Sequence, residues 1–118
     1  MELFTELDKL AYKKGGRVIS LYGNHELMNA VGNLDYVSFK GITQFKDHIN
    51  PKTKKPFANN VNRFGEEMPE GYAARKHYFS AGNEIGKFMG CSRMACIIIG
   101  SNMFMHGGIV KQLAASVS

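Results

Sequence analysis

The sequence predicts an α/β fold, because amphipathic helical segments alternate with buried strands along a chain of 118 residues. Apolar residues at helical spacing predict a helix over residues 3–14, which the pair Gly15-Gly16 ends. The apolar run 17–22 follows directly and predicts a strand that is buried on both faces. The run 94–99 predicts a second buried strand, which forms a hairpin with residues 103–105.

The rest of the chain connects these elements within one domain that spans residues 1–118. Residues 50–71 are rich in Asn, Pro, Gly and Lys and predict a long loop, which in a compact domain is usually functional or mobile. Helices are predicted over residues 26–31, 41–48, 72–78 and 83–90, with a final helix beginning near Val110.

Composition excludes several classes of protein. The net charge is +5, but the cluster Lys52–Lys55 lies between two prolines without interleaved aromatics. This pattern is typical of a solvated loop and argues against a nucleic-acid partner. No apolar run approaches the ~18–20 residues that cross a bilayer, so we expect no membrane partner. The acidic N-terminal segment does not resemble a signal peptide, and a cytoplasmic location is expected.

The two cysteines do not form a recognisable metal or disulfide framework. Cys91 and Cys96 lack the paired spacing of a zinc finger, and two cysteines are too few for a disulfide-dense scaffold. Free cysteine packs as a small hydrophobe, so we expect both thiols to be reduced and buried.

Polar residues follow two of the predicted strands. The run 17–22 ends at Gly23-Asn24-His25-Glu26, and the strand 103–105 ends at His106-Gly107-Gly108. If the strands are neighbours in one sheet, these ends converge on one site, as they do in open α/β sheets. Imidazole and amide ligands suit Mn, Fe or Zn better than Ca, which takes oxygen ligands.

The segment Gly23–Glu26, in this position, resembles the signature of the calcineurin-like metallophosphoesterases, and in particular of the phosphoprotein phosphatase branch. The extension Leu27-Met28-Asn29 is most like the Shewanella-like protein phosphatases and their relatives in bacteria and large DNA viruses. The segment 103–109, an apolar triplet followed by His-Gly-Gly, resembles a later segment of that family. The resemblance implies a partial calcineurin-like metallophosphoesterase fold, an α/β sandwich that lacks its N-terminal strands.

The resemblance also implies roles for individual residues. Asn24 and His106 match ligands of the second metal, and His25 matches the histidine that protonates the leaving oxygen. Glu26 would buttress the loop and not bind metal. Arg93 and Arg75 lie in a segment that resembles the arginine-rich region of this branch, where a guanidinium can bind phosphate.

Two family motifs are missing from this chain. Gly-Asp-x-His-Gly and Gly-Asp-x-x-Asp-Arg-Gly supply the first metal's ligands in the family, and neither occurs here. The intact family site holds two divalent metal ions (Mn, Fe or Zn), of which at most one would be partly ligated by this chain. The resemblance therefore covers the C-terminal part of a catalytic domain, and we expect little or no activity from these residues alone.

Three functional hypotheses follow. The first is a metal-dependent phosphoester hydrolase, similar to serine/threonine or tyrosine protein phosphatases, that uses a metal-activated water and acts on a phosphoprotein or small phosphoester. The second is a non-catalytic, truncated phosphatase-like module that binds a metal or a partner. The third is a basic module that binds an anionic polymer. A zincin metalloprotease is rejected, because Asn29 stands where His-Glu-x-x-His needs its second histidine. The sequence indicates no particular oligomeric state.

Overall fold

The computed structural model describes residues 2–116 and confirms a mixed α/β architecture of helices and a small antiparallel sheet. The elements are α1 (Glu2–Tyr12), α2 (Asn24–Ala30), α3 (Phe39–Thr43), α4 (Tyr72–Phe79), α5 (Glu84–Ser92), β1 (Cys96–Ile99), β2 (Asn102–Met105) and α6 (Lys111–Ser116). Among the described residues, no helix is both long and apolar enough to span a membrane. The chain divides into two compact units, the first made of Met1–Glu26 with Met89–Ser118 and the second of Leu27–Phe88.

The first helix of unit 1 ends where the sequence predicts. Gly15 has a φ of +79°, and the Gly16 N–H donates to the Ala11 carbonyl at 2.9 Å, which closes the helix as a C-terminal glycine does. The carboxylate of Asp8 then ties α1 to the following segment. It accepts two hydrogen bonds from the Arg17 guanidinium, at 2.8 and 3.1 Å, and a third from the Val18 N–H at 2.8 Å. These hydrogen bonds hold residues 17 and 18, at the start of the segment that leads to the motif at residues 23–26, against α1.

The strand predicted over residues 17–22 is only partly formed. Leu21 makes a single parallel bridge with Met94, and residues 18–21 are half-buried instead of fully buried. The bridge consists of two hydrogen bonds, Tyr22 N–H to the Met94 carbonyl at 2.8 Å and Met94 N–H to the Ser20 carbonyl at 3.2 Å. An apolar run forms a regular strand only when partners pair along its length, and here pairing is confined to one residue.

The predicted hairpin is confirmed, but its burial is not. β1 and β2 pair antiparallel from Cys96 opposite Met105 to Ile99 opposite Asn102, with Gly100 at a φ of +62° in the two-residue turn. Ile98 is nevertheless 64% exposed. The expectation of a strand buried on both faces is wrong, because the described sheet has two strands and each face of such a ribbon needs another layer to cover it.

Both cysteines were expected to be buried, and both are exposed, free thiols. Cys91 lies near the end of α5, and Cys96 opens β1. The expectation of burial fails because Cys96 belongs to the uncovered hairpin and Cys91 to an exposed position of its helix.

Unit 2 has its own small core. Leu34, Ile42 and Tyr72 are at most 3% exposed, and partly buried apolar side chains pack against them. Burying each of these large side chains stabilises the unit by roughly 1.5–3 kcal/mol. The helix predicted near residues 41–48 is α3, which is shorter and begins two residues earlier, with the Ser38 hydroxyl accepting from the Gly41 N–H. The predicted loop 50–71 contains hydrogen-bonded turns and the isolated bridge Val61–Glu67, and its Pro56 forms a second bridge with Ile49.

Candidate metal centre

The motif residues of unit 1 form the first turn of α2. Gly23 precedes the helix, and the Glu26 carboxylate reaches back to accept a hydrogen bond from the Gly23 N–H at 2.9 Å. A glutamate at the third helical position commonly satisfies the N-terminal backbone in this way. The expectation that Glu26 buttresses the turn is confirmed, and its carboxylate is thereby engaged in holding the backbone that carries Asn24.

Gly23 allows the second motif to approach. A Cβ at this position would lie 2.6 Å from the Glu26 carboxylate and 3.3 Å from the His106 ring. The first distance is shorter than real Cβ contacts, so a side chain here would displace the carboxylate or the imidazole. A larger residue would therefore disturb the Glu26 contact with the Gly23 backbone and crowd the His106 ring.

The backbone brings the two motifs together through β1 and β2. Leu21 is bridged to Met94, two residues before β1, and β2 returns antiparallel to β1 and delivers His106 to the same end as residues 23–26. The Nε2 atom of His106 lies 2.9 Å from the Oδ1 atom of Asn24. The expectation that the two ends converge is confirmed.

This distance suits two ligands of one metal ion. Bonds of about 2.1 Å to nitrogen and oxygen, at a right angle to one another, separate the two donor atoms by about 3 Å. In the present arrangement the Nε2–H tautomer donates to the amide oxygen, whereas metal binding requires the Nε2 lone pair and hence the other tautomer. Both side chains are exposed, so an ion can reach them from solvent.

The described residues supply only part of a coordination shell. Residues 2–116 contain no group of three or more His, Cys, Asp or Glu side chains placed to hold a metal ion. Asn24 and His106 together offer two donor atoms, whereas protein metal sites usually take three or four. The geometry of the pair is compatible with two ligands of one ion, and a metal ion held here would need further ligands from water, substrate or other polypeptide.

His25 is an exposed residue of the first turn of α2, next to Asn24 in the chain. Tyr22, on the other side of Gly23, was not singled out by sequence reasoning. Its hydroxyl donates to the Glu26 carbonyl at 3.4 Å, and burial, with a smaller effect of the Glu26 charge, raises its pKa. The sequence signal that could have indicated this hydrogen bond is the four-residue spacing between Tyr22 and Glu26.

The two arginines expected to bind phosphate lie in different units. Arg93, in unit 1, donates to the Thr5 hydroxyl at 3.0 Å and to the Ser92 hydroxyl at 2.8 Å. Arg75, in unit 2, donates to the side chain of Asn29 and to the backbone carbonyl of Gly41.

The guanidinium of Arg75 is also held by aromatic rings. It lies 4.3 Å from the centroid of Phe79 and 5.4 Å from that of Phe45. Burial lowers the pKa of this arginine. These contacts give Arg75 a packing role in unit 2.

The chain is similar in sequence to parts of two longer proteins. It is 39% identical to uncharacterized protein R398 of Acanthamoeba polyphaga mimivirus over 114 residues, which cover 97% of this chain and 40% of that protein. It is 25% identical to Shewanella-like protein phosphatase 2 of Arabidopsis thaliana over 125 aligned residues, which cover 91% of this chain and 32% of that protein. No family model matches, and no solved structure matches.

The chain is distantly related to a phosphatase. The alignment with the plant phosphatase covers 91% of this chain. The chain spans two fifths or less of the length of either relative.

Proposed function

We propose that this chain carries part of the active site of a metal-dependent phosphoester hydrolase of the phosphoprotein phosphatase type. The observation that carries the proposal is the 2.9 Å separation of the Asn24 Oδ1 and His106 Nε2 atoms. The distant relationship to a plant protein phosphatase supports the same reaction class. The substrate class proposed is a phosphoprotein or a small phosphoester.

In this proposal Asn24 and His106 are ligands of one divalent ion, with Mn, Fe or Zn suited to an amide and an imidazole. When bound, such an ion lowers the pKa of a coordinated water and makes it a nucleophile near neutral pH. His25 is the proposed general acid. It donates a proton to the leaving oxygen as the bond from phosphorus to that oxygen breaks, which assists departure of a serine or threonine alkoxide.

The arginines have unequal parts in this proposal. Arg93 belongs to unit 1, as do Asn24 and His106, and remains the proposed phosphate-binding arginine. Arg75 was a second candidate for that role. Its guanidinium hydrogen bonds and ring contacts within unit 2 favour a structural role.

Metal binding at the Asn24–His106 pair can be tested with Mn²⁺ alone. We expect Mn²⁺ to broaden the NMR signals of the Asn24 side-chain amide and the His106 ring selectively. We expect His106→Ala to lower Mn²⁺ affinity at least tenfold, whereas the control His48→Ala, on an exposed residue of unit 2, should leave it unchanged. Equal affinity in wild type and His106→Ala would contradict the proposed site.

Hydrolysis provides a separate test. With two donor atoms converging among the described residues, we expect the 118-residue chain to hydrolyse p-nitrophenyl phosphate poorly or not at all in Mn²⁺. Turnover that disappears in His25→Ala would contradict that expectation and support the role of His25. A chain that binds Mn²⁺ at this pair without turnover fits the second candidate, a non-catalytic metal- or partner-binding module, which the two-donor shell favours.

A further inference from the structure

Residues 49–56 of unit 2, which we call the basic loop, are closed by backbone hydrogen bonds. Ile49 and Pro56 form an antiparallel bridge, and the Asn50 N–H donates to the Lys55 carbonyl at 2.9 Å. The segment is therefore held as a compact loop and not as an open connection.

The turn of the basic loop is closed by Asn50. Its side-chain oxygen accepts from the N–H groups of Lys52, at 2.9 Å, and Thr53, at 3.4 Å. Its carbonyl accepts from the Lys54 N–H at 2.9 Å. Because these three N–H groups are bonded within the loop, they do not form the open nest of backbone donors that cradles a phosphate.

Aromatic residues anchor the basic loop on α4. The Tyr78 hydroxyl donates to the Ile49 carbonyl at 3.1 Å. The ring centroid of Phe57, which follows the loop, lies 5.2 Å from that of His77 and 6.1 Å from that of Tyr78. These rings are half-buried and contact one another in tilted or edge-on arrangements. They support the loop and do not present the open row of ring faces on which successive bases stack.

The charge of the basic loop is not neutralised by its surroundings. Lys52, Lys54 and Lys55 are exposed, and among residues 2–116 no carboxylate forms an ion pair with them. The wider segment 46–57 carries four lysines and one aspartate. A compact cluster of like charges raises the local potential and attracts an anionic partner.

We propose that the basic loop binds an acidic segment of another polypeptide, in which glutamate or aspartate residues flank an apolar side chain. Lysine is a flexible point charge and suits carboxylates spaced along an extended peptide, whereas a phosphate is held most specifically by a guanidinium or a nest of backbone N–H groups. Ile49, at the base of the loop, is 51% exposed and supplies the contact for the apolar side chain. The inference depends on unit 2 alone and is independent of the proposed metal site.

Peptide binding to the complete 118-residue chain tests the proposal. The probe is a fluorescein-labelled peptide of glutamates with a central leucine, and the control probe has glutamine in place of every glutamate. Fluorescence polarisation should detect binding of the acidic peptide alone, with an affinity that falls as salt screens the exposed charges. A probe with glutamate in place of the leucine should bind about threefold more weakly, because it cannot cover Ile49. NMR shift changes in the wild-type chain should be largest at residues 49–57.

Paired substitutions test the lysines directly. Lys54→Gln with Lys55→Gln removes two charges of the basic loop and should weaken binding of the acidic peptide about tenfold. The matched control, Lys13→Gln with Lys14→Gln, neutralises two adjacent exposed lysines of unit 1, lowers the net charge equally and should bind as wild type does. Lys54→Arg with Lys55→Arg keeps both charges and should also retain binding. Circular dichroism melting curves show whether each variant folds, and the NMR measurement on wild type depends on no substitution.

Four results would overturn the proposal. The first is the absence of binding to the wild-type chain, and the second is equal binding by the two glutamine variants, which would assign the attraction to net charge alone. The third is a set of NMR shift changes that lies outside residues 49–57. The fourth is tighter binding of a labelled single-stranded RNA than of the acidic peptide at the same salt concentration, which would assign the basic loop to nucleic acid.

Discussion

Replacing Arg75 with alanine should destabilise the chain strongly. The substitution removes the hydrogen bond from Nε to the Asn29 side chain, at 2.9 Å, and that from Nη1 to the Gly41 carbonyl, at 2.8 Å. It also removes the guanidinium from the face of Phe79. Hydrogen bonds from a charged donor contribute roughly 1.5–3 kcal/mol each, and a cation–π contact roughly 0.5–2 kcal/mol.

These contributions are not additive, and water can reach a half-buried site, so we expect a loss of about 2–4 kcal/mol in the free energy of unfolding. The matched control is Arg63→Ala in the same unit. Arg63 forms an exposed ion pair with Asp35 at 2.7 Å, and such pairs contribute roughly 0–1 kcal/mol. Urea denaturation followed by circular dichroism measures both variants.

Equal losses in Arg75→Ala and Arg63→Ala would refute the packing role assigned to Arg75. A stability close to wild type for Arg75→Ala would return this arginine to the set of candidate phosphate ligands.

Three further predictions concern unit 1. Gly23→Ala should lower the free energy of unfolding by roughly 1–3 kcal/mol, because the added Cβ overpacks against the Glu26 carboxylate and the His106 ring. Chemical denaturation measures the loss, and an unchanged midpoint would contradict the close approach of these two side chains to Gly23. The hydrogen bond from Arg17, and after it the one from Val18, hold the pKa of Asp8 below its ordinary value of 3.8, so the stability that these bonds add is lost as pH falls through the folded-state pKa. The stability of Asp8→Asn should therefore vary less with pH below about 4 than that of wild type. Parallel acid titrations of the two proteins would disprove this. Burial raises the pKa of Tyr22, so the stability that the neutral phenol contributes is present below pH 10 and is lost as pH rises through the folded-state pKa. Tyr22→Phe should flatten this alkaline decline in melting temperature. An identical decline in both proteins would count against ionisation of the buried Tyr22 as the cause of the decline.

The sequence predicted the elements that depend on local chemistry. The glycine end of α1, the hairpin of β1 and β2 and the helix pair α4 and α5 follow from turn residues and apolar spacing, and they appear close to the predicted bounds. The convergence of Asn24 and His106 was also predictable, because two strand ends carried polar residues and one sheet would join them.

Properties that depend on neighbouring layers could not be predicted in this way. The apolar run 94–99 indicates that a strand there can be buried by covering layers, but it does not show whether those layers are present. The exposure of Ile98 and of both cysteines results from this difference. The partners of Arg75 were equally hidden, because Asn29 is 46 residues away in the chain and no local pattern links the two.

The exposed thiols affect how metal binding can be measured. Cys91 and Cys96 belong to the same unit as Asn24 and His106, and thiolates attract Zn²⁺ and copper more strongly than amide oxygen does. A zinc titration of the native chain would therefore report sulfur as well as the candidate centre. Mn²⁺, which prefers oxygen and nitrogen, or a background in which both cysteines are serine, separates the two signals. The serine background also prevents oxidative cross-linking between molecules during storage.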